Sequence, residues 1–322
     1  MLPSKDVLTI CFAHVAYRLQ DRFVARSTGI RSFEVRTRED LDCRIGEADV
    51  LVVSGMWHNG LAEHAPRLRF IQSISAGVDQ YARDVLQTRG IRLASAQGVN
   101  VRAVSEHAIA LILALSRRLP EARDNQARHH WRGMIGDLEQ REDELGGKTL
   151  LILGLGRIGG RLAQLAKAFQ MRVIGIRRDP AAGLNGADEV HGLDQLVELV
   201  PEADYIALTC PLTPQTQNVI NAAALGAMRR SAWLVNVARG GVVDEPALIE
   251  ALQARRIAGA ALDCTAVEPL ANTSPLWSMD NVLITPHTAG ETRRYEENVL
   301  DILENNLARL WRGESALLNQ VI

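Results

Sequence analysis

Residues 150–160 have the sequence LLILGLGRIGG. The four apolar residues at its start predict a short buried strand, and Gly154, Gly156 and Gly159 follow at the G-x-G-x-x-G spacing. In such a turn the glycines allow a tight bend, a close approach of the backbone to a pyrophosphate, and close packing of the next helix on the strand. We expect the N-terminal amides of that helix, which begins near Arg157 and Ile158, to hold the phosphates.

The segments on both sides of the glycines support this interpretation. Apolar residues follow the turn at helical spacing, at Ile158, Leu162, Leu165 and Phe169. A second apolar run at 171–176 predicts the next strand. A glycine-rich turn without a ligand is the alternative, and the strand–turn–helix–strand order favours the dinucleotide-binding turn over it.

Length and composition restrict the class of protein. A chain of 322 residues predicts two domains. A net charge of −2 gives no basic excess, so we expect neither a nucleic acid nor a membrane surface as partner. The longest apolar run, at 108–115, is far too short to span a bilayer. The first six residues lack the apolar region of a signal peptide, and the four cysteines lack metal or redox spacing. We therefore expect a cytoplasmic protein with buried thiols and no metal site.

Apolar strands alternate with segments of helical length along most of the chain. The predicted strands are 7–12, 50–53, 70–74, 91–94, 150–153, 171–176, 204–209, 233–237, 257–262 and 282–285. This alternation predicts an α/β protein whose parallel sheets are covered on both faces. We predict one long helix over about 102–118, ended by Pro120, and another over about 292–311.

The segment 121–144 is polar and charged. It contains His129 and His130, for which surface positions are favoured over a metal site because no third ligand has the right spacing. Trp131 is unusual in so polar a stretch, and we predict that it contacts a partner subunit.

Several polar groups follow predicted strands, at the edge where open α/β sheets bind ligands. Arg239, Glu268 and His287 are each compatible with a simple structural role, but together they form a workable site. An arginine binds a carboxylate through two parallel hydrogen bonds, a histidine exchanges a proton with an alcohol or ketone, and a carboxylate orients that histidine. The amides of Ala76 and Gly77 could hold an anion, although a plain turn explains them equally well.

Five motifs occur in a fixed order: GLGRIG at 154–159, PLTP at 211–214, VNVARG at 235–240, EPL at 268–270 and TPHTAG at 285–290. With AGVD at 76–79 and VSEH at 104–107, they resemble the D-isomer-specific 2-hydroxyacid dehydrogenase family over nearly the whole chain. The resemblance implies two Rossmann-like domains with parallel sheets. A cofactor domain, residues 100–289, would be inserted into a flavodoxin-like substrate domain formed by residues 1–99 and 290–322.

The resemblance also implies roles for individual residues. Arg239, Glu268 and His287 would be the catalytic triad, and Ala76, Gly77, Arg239 and His287 would bind the substrate. Asp263 would hold the nicotinamide carboxamide. The other cofactor-binding positions would be Gly154, Gly156, Arg157, Ile158, Gly159, Pro211, Thr216, Val237, Ala238 and Gly290. The family further implies a homodimer formed through the cofactor domains.

The substrate class is the next expectation. The stretch from Glu268 to Trp277 resembles the glyoxylate and hydroxypyruvate reductases. The long phosphoglycerate dehydrogenases carry a further domain, which we do not expect after Ile322. A nucleotide-sensing, corepressor-like binding protein on the same fold is the alternative function, and the complete triad disfavours it.

The second strand of the cofactor domain ends in Arg177 and Arg178, where the NAD-type pattern has a carboxylate for the ribose 2′-hydroxyl. A guanidinium pairs with a 2′-phosphate, which a carboxylate would repel. We therefore predict NADP as the cofactor. The alternative is NAD, with Asp179 turned back toward the ribose.

Overall fold

The computed structural model describes residues 2–322, apart from the side chain of Glu139. The chain forms two compact units. The first comprises the residues up to Asn100 together with Thr292–Ile322, and the second comprises Val101–Glu291.

The helices and strands alternate along the chain. The strands are β1 (Thr9–Ala13), β2 (Arg31–Val35), β3 (Val50–Val53), β4 (Phe70–Ser73), β5 (Arg92–Ala94), β6 (Thr149–Leu153), β7 (Arg172–Ile176), β8 (Glu189–His191), β9 (Tyr205–Leu208), β10 (Trp233–Asn236), β11 (Gly259–Leu262) and β12 (Val282–Ile284). The α-helices are α1 (Leu19–Ala25), α2 (Arg38–Arg44), α3 (Arg83–Thr88), α4 (Val101–Ser116), α5 (Leu119–Ala127), α6 (Arg157–Ala168), α7 (Leu196–Leu199), α8 (Ala222–Ala227), α9 (Glu245–Gln253) and α10 (Tyr295–Trp311).

Each unit is built around one parallel sheet. The sheet of the first unit has the order β2-β1-β3-β4-β5, which is the flavodoxin-like order 2-1-3-4-5. Helix α10 packs its buried face on this unit, through residues such as Val299, Leu303 and Leu307. The sheet lies between two apolar cores, since β3 is buried along its whole length.

The sheet of the second unit has the order β8-β7-β6-β9-β10-β11-β12. If β6 is taken as strand 1 and the later strands are numbered along the sequence, this is the 3-2-1-4-5-6 order of dinucleotide-binding folds, with β12 as one further strand. The order reverses between β6 and β9, and the glycine turn lies at the end of β6. The predicted fold class, α/β with two Rossmann-like parallel sheets, is confirmed.

Gly154 is required where the ends of β6 and β9 approach each other. Its φ of +105° is one that residues with side chains rarely adopt. A Cβ at this position would lie 2.4 Å from the backbone nitrogen of Cys210, the second residue after β9. A Cβ at Gly159 would lie 2.5 Å from the carbonyl oxygen of Gly154, so this glycine lets α6 pack closely on the turn.

Two predictions about helices were wrong. The helix predicted over 102–118 ends at Ser116, because Arg118 adopts a left-handed conformation with a φ of 48°. Pro120 does not end a helix but lies in the first turn of α5. Backbone N–H groups in a first turn have no partner within the helix, so the N–H group that proline lacks removes no hydrogen bond there. Phe169, predicted to lie on one face of this helix with Ile158, Leu162 and Leu165, is just beyond the end of α6 and is 40% exposed.

Edge strands and one cysteine also depart from the predictions. Strands β2 and β8 were missed, because both lie at sheet edges and bury few of their side chains. Cys43 is exposed, since α2 buries only Leu41, whereas Cys11, Cys210 and Cys264 are buried as predicted. Within residues 2–322, no helix is long and apolar enough to cross a membrane.

We predict that Gly154→Ala destabilises the second unit by about 2 kcal/mol or more, because it adds both a clash and a strained φ. Gly226→Ala is the matched control. Gly226 lies in α8 with open space around it, so alanine there should stabilise the protein by about 0.5–1 kcal/mol. Urea unfolding of both variants measures the difference, and equal stabilities would contradict the role assigned to Gly154.

Candidate active site

The turn after β6 has the geometry of an anion site. Helix α6 begins at Arg157, and Gly156 at its N-cap provides no side chain for the first-turn amides. A Cβ at Gly156 would meet no atom within 4 Å, so the space in front of the helix is open. The uncapped amides and the helix dipole suit a phosphate group. The residues of this turn therefore fit a dinucleotide.

The end of β7 has arginines where a carboxylate would select NAD. The Arg177 guanidinium donates to the carbonyl oxygens of Ala182 and Gly183, at 3.4 and 3.2 Å. Arg178 is exposed. The Asp179 carboxylate accepts from the amide of Ala181, at 3.1 Å, and so caps the short turn that follows.

Asn236, the last residue of β10, shapes the turn that carries Arg239. Its side chain accepts from the amide of Ala238 and donates to the carbonyl oxygen of Arg239, both at 3.0 Å. Asn236 is only 1% exposed, whereas Arg239 is exposed. The guanidinium of Arg239 is bonded only by its donation to the carbonyl of Ala238, at 2.7 Å, among the bonds of the described residues. It therefore remains available to an anion.

Glu268 and His287 form a direct pair. The Nδ1 of His287 lies 2.7 Å from Oε2 of Glu268, and Oε1 of the same carboxylate accepts from the amide of Thr265 at 3.1 Å. Because a carboxylate only accepts, Nδ1 carries the proton of this bond, and Nε2 is the ring atom left to exchange protons. His287 has a φ of 55°, an uncommon conformation for a residue with a side chain.

The loops after β10 and β11 are packed together at this site. A Cβ at Gly240 would lie 1.9 Å from the carbonyl oxygen of Thr265, so no other residue lets these loops approach so closely. Cys264 is buried at the start of the loop after β11. The pKa of its thiol is raised to about 12, mainly by burial and also by the charges of Glu268 and Asp263, while the charge of Arg239 opposes this rise. The structure thus brings Arg239 and Glu268 to one region of the second unit.

Asp263 follows β11 and is 2% exposed. Its Oδ1 accepts from Oγ1 of Thr285 at 2.6 Å and from the amide of Thr288 at 3.0 Å. Its Oδ2 accepts from the amide of Ala289 at 3.1 Å. Asp263 therefore anchors the residues on both sides of His287.

Some of these residues were missed in the sequence. His107, on α4, lies with Nε2 3.0 Å from Oγ1 of Thr285. Glu245 accepts from the amide of Ala266 at 2.8 Å and so supports the loop that leads to Glu268. The signal for His107 was its place in the VSEH motif at 104–107. Asn236 was also recognisable, as a polar residue that directly continues the apolar run 233–235.

The remaining predicted positions lie in the segments that follow strands. Thr216 closes the turn after β9, with Oγ1 donating to the carbonyl of Pro211 at 2.7 Å. Val237 and Ala238 are buried directly after β10, and Gly290 follows Ala289 as a half-buried residue. Ala76 and Gly77 belong to the first unit, where they follow β4 in a partly exposed turn.

Trp131 is 97% exposed and Met134 is fully exposed. Both line a groove of about 700 Å³ beside α5 in the second unit, together with His129 and His130. No group of three or more histidine, cysteine, aspartate or glutamate side chains in the described part of the chain could hold a metal ion.

Comparison with known proteins agrees with this geometry. Residues 109–289 match the sequence profile described as "D-isomer specific 2-hydroxyacid dehydrogenase, NAD binding domain". The chain belongs to the D-isomer-specific 2-hydroxyacid dehydrogenase family. The predicted family is therefore confirmed.

Relatives within the family carry different names. The D-3-phosphoglycerate dehydrogenase of Methanocaldococcus jannaschii is 36% identical over 285 residues, which cover 87% of this chain and 53% of that protein. The chain thus spans about half the length of this relative. The glyoxylate/hydroxypyruvate reductase B of Yersinia enterocolitica is 35% identical over 317 residues, 97% of this chain and 95% of that protein.

A solved structure shows the same two-domain fold. The crystal structure of a D-isomer-specific 2-hydroxyacid dehydrogenase family protein from Aeromonas salmonicida superposes with a TM-score of 0.85 at 29% identity. The match covers 98% of this chain and 99% of that one.

Proposed function

We propose that this protein reduces a small 2-keto acid to the D-2-hydroxy acid with NADPH, as a reductase of the glyoxylate and hydroxypyruvate type. The observation that carries the proposal is the 2.7 Å hydrogen bond between His287 and Glu268, which leaves Nε2 of the imidazole free for proton exchange. Membership of the family and the geometry of the glycine turn support a nicotinamide cofactor.

In the proposed mechanism, Arg239 pairs with the substrate carboxylate and polarises the adjacent carbonyl. The amides of Ala76 and Gly77 are proposed as further donors to that carboxylate. His287, protonated, donates from Nε2 to the keto oxygen, while the Glu268 carboxylate stabilises the imidazolium and fixes the ring. A bound reduced nicotinamide supplies the hydride.

The substrate class within the family is part of the proposal. The stretch from Glu268 to Trp277 favours glyoxylate and hydroxypyruvate, and the Yersinia relative bears that name. The name of the Methanocaldococcus relative favours 3-phosphoglycerate instead, at nearly the same identity. The keto acid that corresponds to 3-phosphoglycerate is 3-phosphohydroxypyruvate, which carries a phosphate that hydroxypyruvate lacks, so a panel of keto acids distinguishes the two possibilities.

We predict that the purified protein oxidises NADPH when glyoxylate or hydroxypyruvate is added, and more slowly with pyruvate, phenylpyruvate or 3-phosphohydroxypyruvate. His287→Ala should lower kcat by about 10²–10⁴, the usual contribution of a general acid. Absorbance of the reduced cofactor measures both effects.

The control is His64→Ala, which removes an exposed histidine of the first unit. It should keep the activity of the parent. A parent that binds cofactor tightly but reduces none of the five keto acids would contradict the proposal and would favour the nucleotide-sensing function. Near-normal turnover in His287→Ala would remove this histidine from the chemistry.

The preference for NADP is a separate part of the proposal. Arg177 and Arg178 stand at the end of β7, and Asp179, the carboxylate that could serve NAD, is engaged in capping a turn. A 2′-phosphate would find two cations there, while one oxygen of the Asp179 carboxylate accepts from the amide of Ala181.

We predict that kcat/KM is higher with NADPH than with NADH, and that Arg177→Asp lowers this ratio by about tenfold or more because it replaces an attractive charge by a repulsive one. Arg230→Asp, a reversal at an exposed arginine just before β10, is the matched control and should leave the ratio unchanged. The prediction would be wrong if the parent preferred NADH, or if Arg177→Asp had the same ratio of kcat/KM values for the two cofactors as the parent.

We also propose that the protein is a cytoplasmic homodimer whose second copy covers the groove beside α5. The thiols of Cys11, Cys210 and Cys264 are free, as in a reducing compartment, and this supports the cytoplasmic location.

The exposed side chains beside α5 support the dimer. Trp131 and Met134 are almost entirely exposed within one chain, which is unfavourable for large apolar side chains. A light-scattering mass of a single chain would contradict the dimer.

A further inference from the structure

The residues around His287 are held by one buried carboxylate. Asp263 accepts three hydrogen bonds: from the hydroxyl of Thr285, two residues before His287, and from the amides of Thr288 and Ala289, which directly follow it. The amide of His287 itself donates to the carbonyl of Thr285 at 3.0 Å. The conformation of His287 therefore depends on where the Asp263 carboxylate lies.

His107 reaches this carboxylate from a different part of the chain. It lies in the second turn of α4, with its side chain 23% exposed, and its Nε2 is 3.0 Å from Oγ1 of Thr285 and 3.5 Å from Oδ1 of Asp263. No other helix of the second unit contributes a side chain to these bonds, among the residues that the structure describes.

The direction of the chain of bonds follows from its donors. The carboxylate of Asp263 can only accept a hydrogen bond, so the Thr285 hydroxyl donates its single proton to it. The oxygen of Thr285 must then accept from His107, which fixes a proton on Nε2 of that imidazole. His107 therefore donates to Thr285, and Thr285 donates to Asp263.

We propose that His107 is a positioning residue: by donating to Thr285 it fixes the hydroxyl that orients the Asp263 carboxylate, and so holds the loop that carries His287. The role of His287 as the acid rests on the proposed function, whereas the effect on the loop does not. Since His287 has a φ of 55°, its backbone needs such external anchors to stay in place. Loss of one donor in this series of hydrogen bonds weakens the hydrogen bonds that follow it.

The test compares three single variants of the full-length protein. His107→Leu keeps an apolar side chain on α4 but removes the donor, and His107→Gln restores an N–H group near the position of Nε2. Glu106→Leu is the matched control on the same helix, because the Glu106 side chain is exposed and its one ion pair, with Arg161, is long at 3.9 Å.

Amide hydrogen exchange measures the loop directly, without any need for catalysis. We expect exchange at Thr288 and Ala289 to be about tenfold faster in His107→Leu, the factor that corresponds to the loss of one hydrogen bond. It should return toward the parent rate in His107→Gln and remain at the parent rate in Glu106→Leu. The exchange of β6 and β9 should be unchanged in all three, which separates this effect from general destabilisation.

Kinetics give the second measurement. In His107→Leu, kcat for the keto acid should fall about tenfold while its KM changes little, because the acid is misplaced and Arg239 is not. Thr285→Val should lower kcat by a similar factor. The variant that carries both changes should lose no more activity than either single variant, since both changes break the same series of hydrogen bonds.

The outcomes separate the two proposals. Faster loop exchange in His107→Leu, in a protein that reduces none of the keto acids, would support the positioning role and contradict the proposed function. Parent-like exchange at Thr288 and Ala289 would overturn the positioning role, whatever the activity. Equal loss of activity in His107→Gln and His107→Leu, or full additivity with Thr285→Val, would overturn it as well.

Discussion

The hydrogen bond between Nδ1 of His287 and Oε2 of Glu268 is the interaction on which the proposed chemistry depends. It assigns one ring nitrogen to orientation and leaves the other for proton exchange. Neither partner belongs to a helix or strand, so the bond exists only because two loops are held against each other. Glu268 is held through the amide of Thr265, and His287 through the bonds of Asp263 to the residues around it.

The parallel sheet of the second unit explains why these loops meet. Strands β10, β11 and β12 are neighbours and run in one direction, so Arg239, Asp263 and His287 follow their strands at the same edge. Glycine makes the approach closer still, since any side chain at Gly240 would collide with the carbonyl of Thr265. The same edge carries the glycine turn after β6, where the strand order reverses. The proposed phosphate site and the proposed acid–base pair thus lie at one edge of the same sheet.

Much of this could be predicted from the sequence, because the decisive requirements are local. The glycines at 154–159 are needed by the turn itself, and central strands such as β3 are continuous apolar runs. Edge strands such as β8 were missed because a half-buried strand has no clear apolar pattern. The end of α4 was misplaced because the left-handed conformation of Arg118 is not encoded by a glycine or an asparagine. The VSEH motif contains His107, but its contact with Thr285 could not be predicted, since the two residues are 178 positions apart in the sequence. The preferred keto acid depends on contacts that no short motif describes.

The pH dependence of the two reaction directions, measured in the parent and in His287→Ala, tests the central claim most directly. In the proposed mechanism, reduction requires a protonated His287 and oxidation of the hydroxy acid requires a neutral one. In the parent, kcat/KM for reduction should therefore fall with rising pH while kcat/KM for oxidation rises. Because the overall reaction consumes a proton, the ratio of the two rates changes with pH in any variant. In His287→Ala, however, the inflection that the two pH profiles of the parent share should be lost. A variant whose profiles keep the inflection of the parent at the same pH would show that another group carries the proton and would contradict the account.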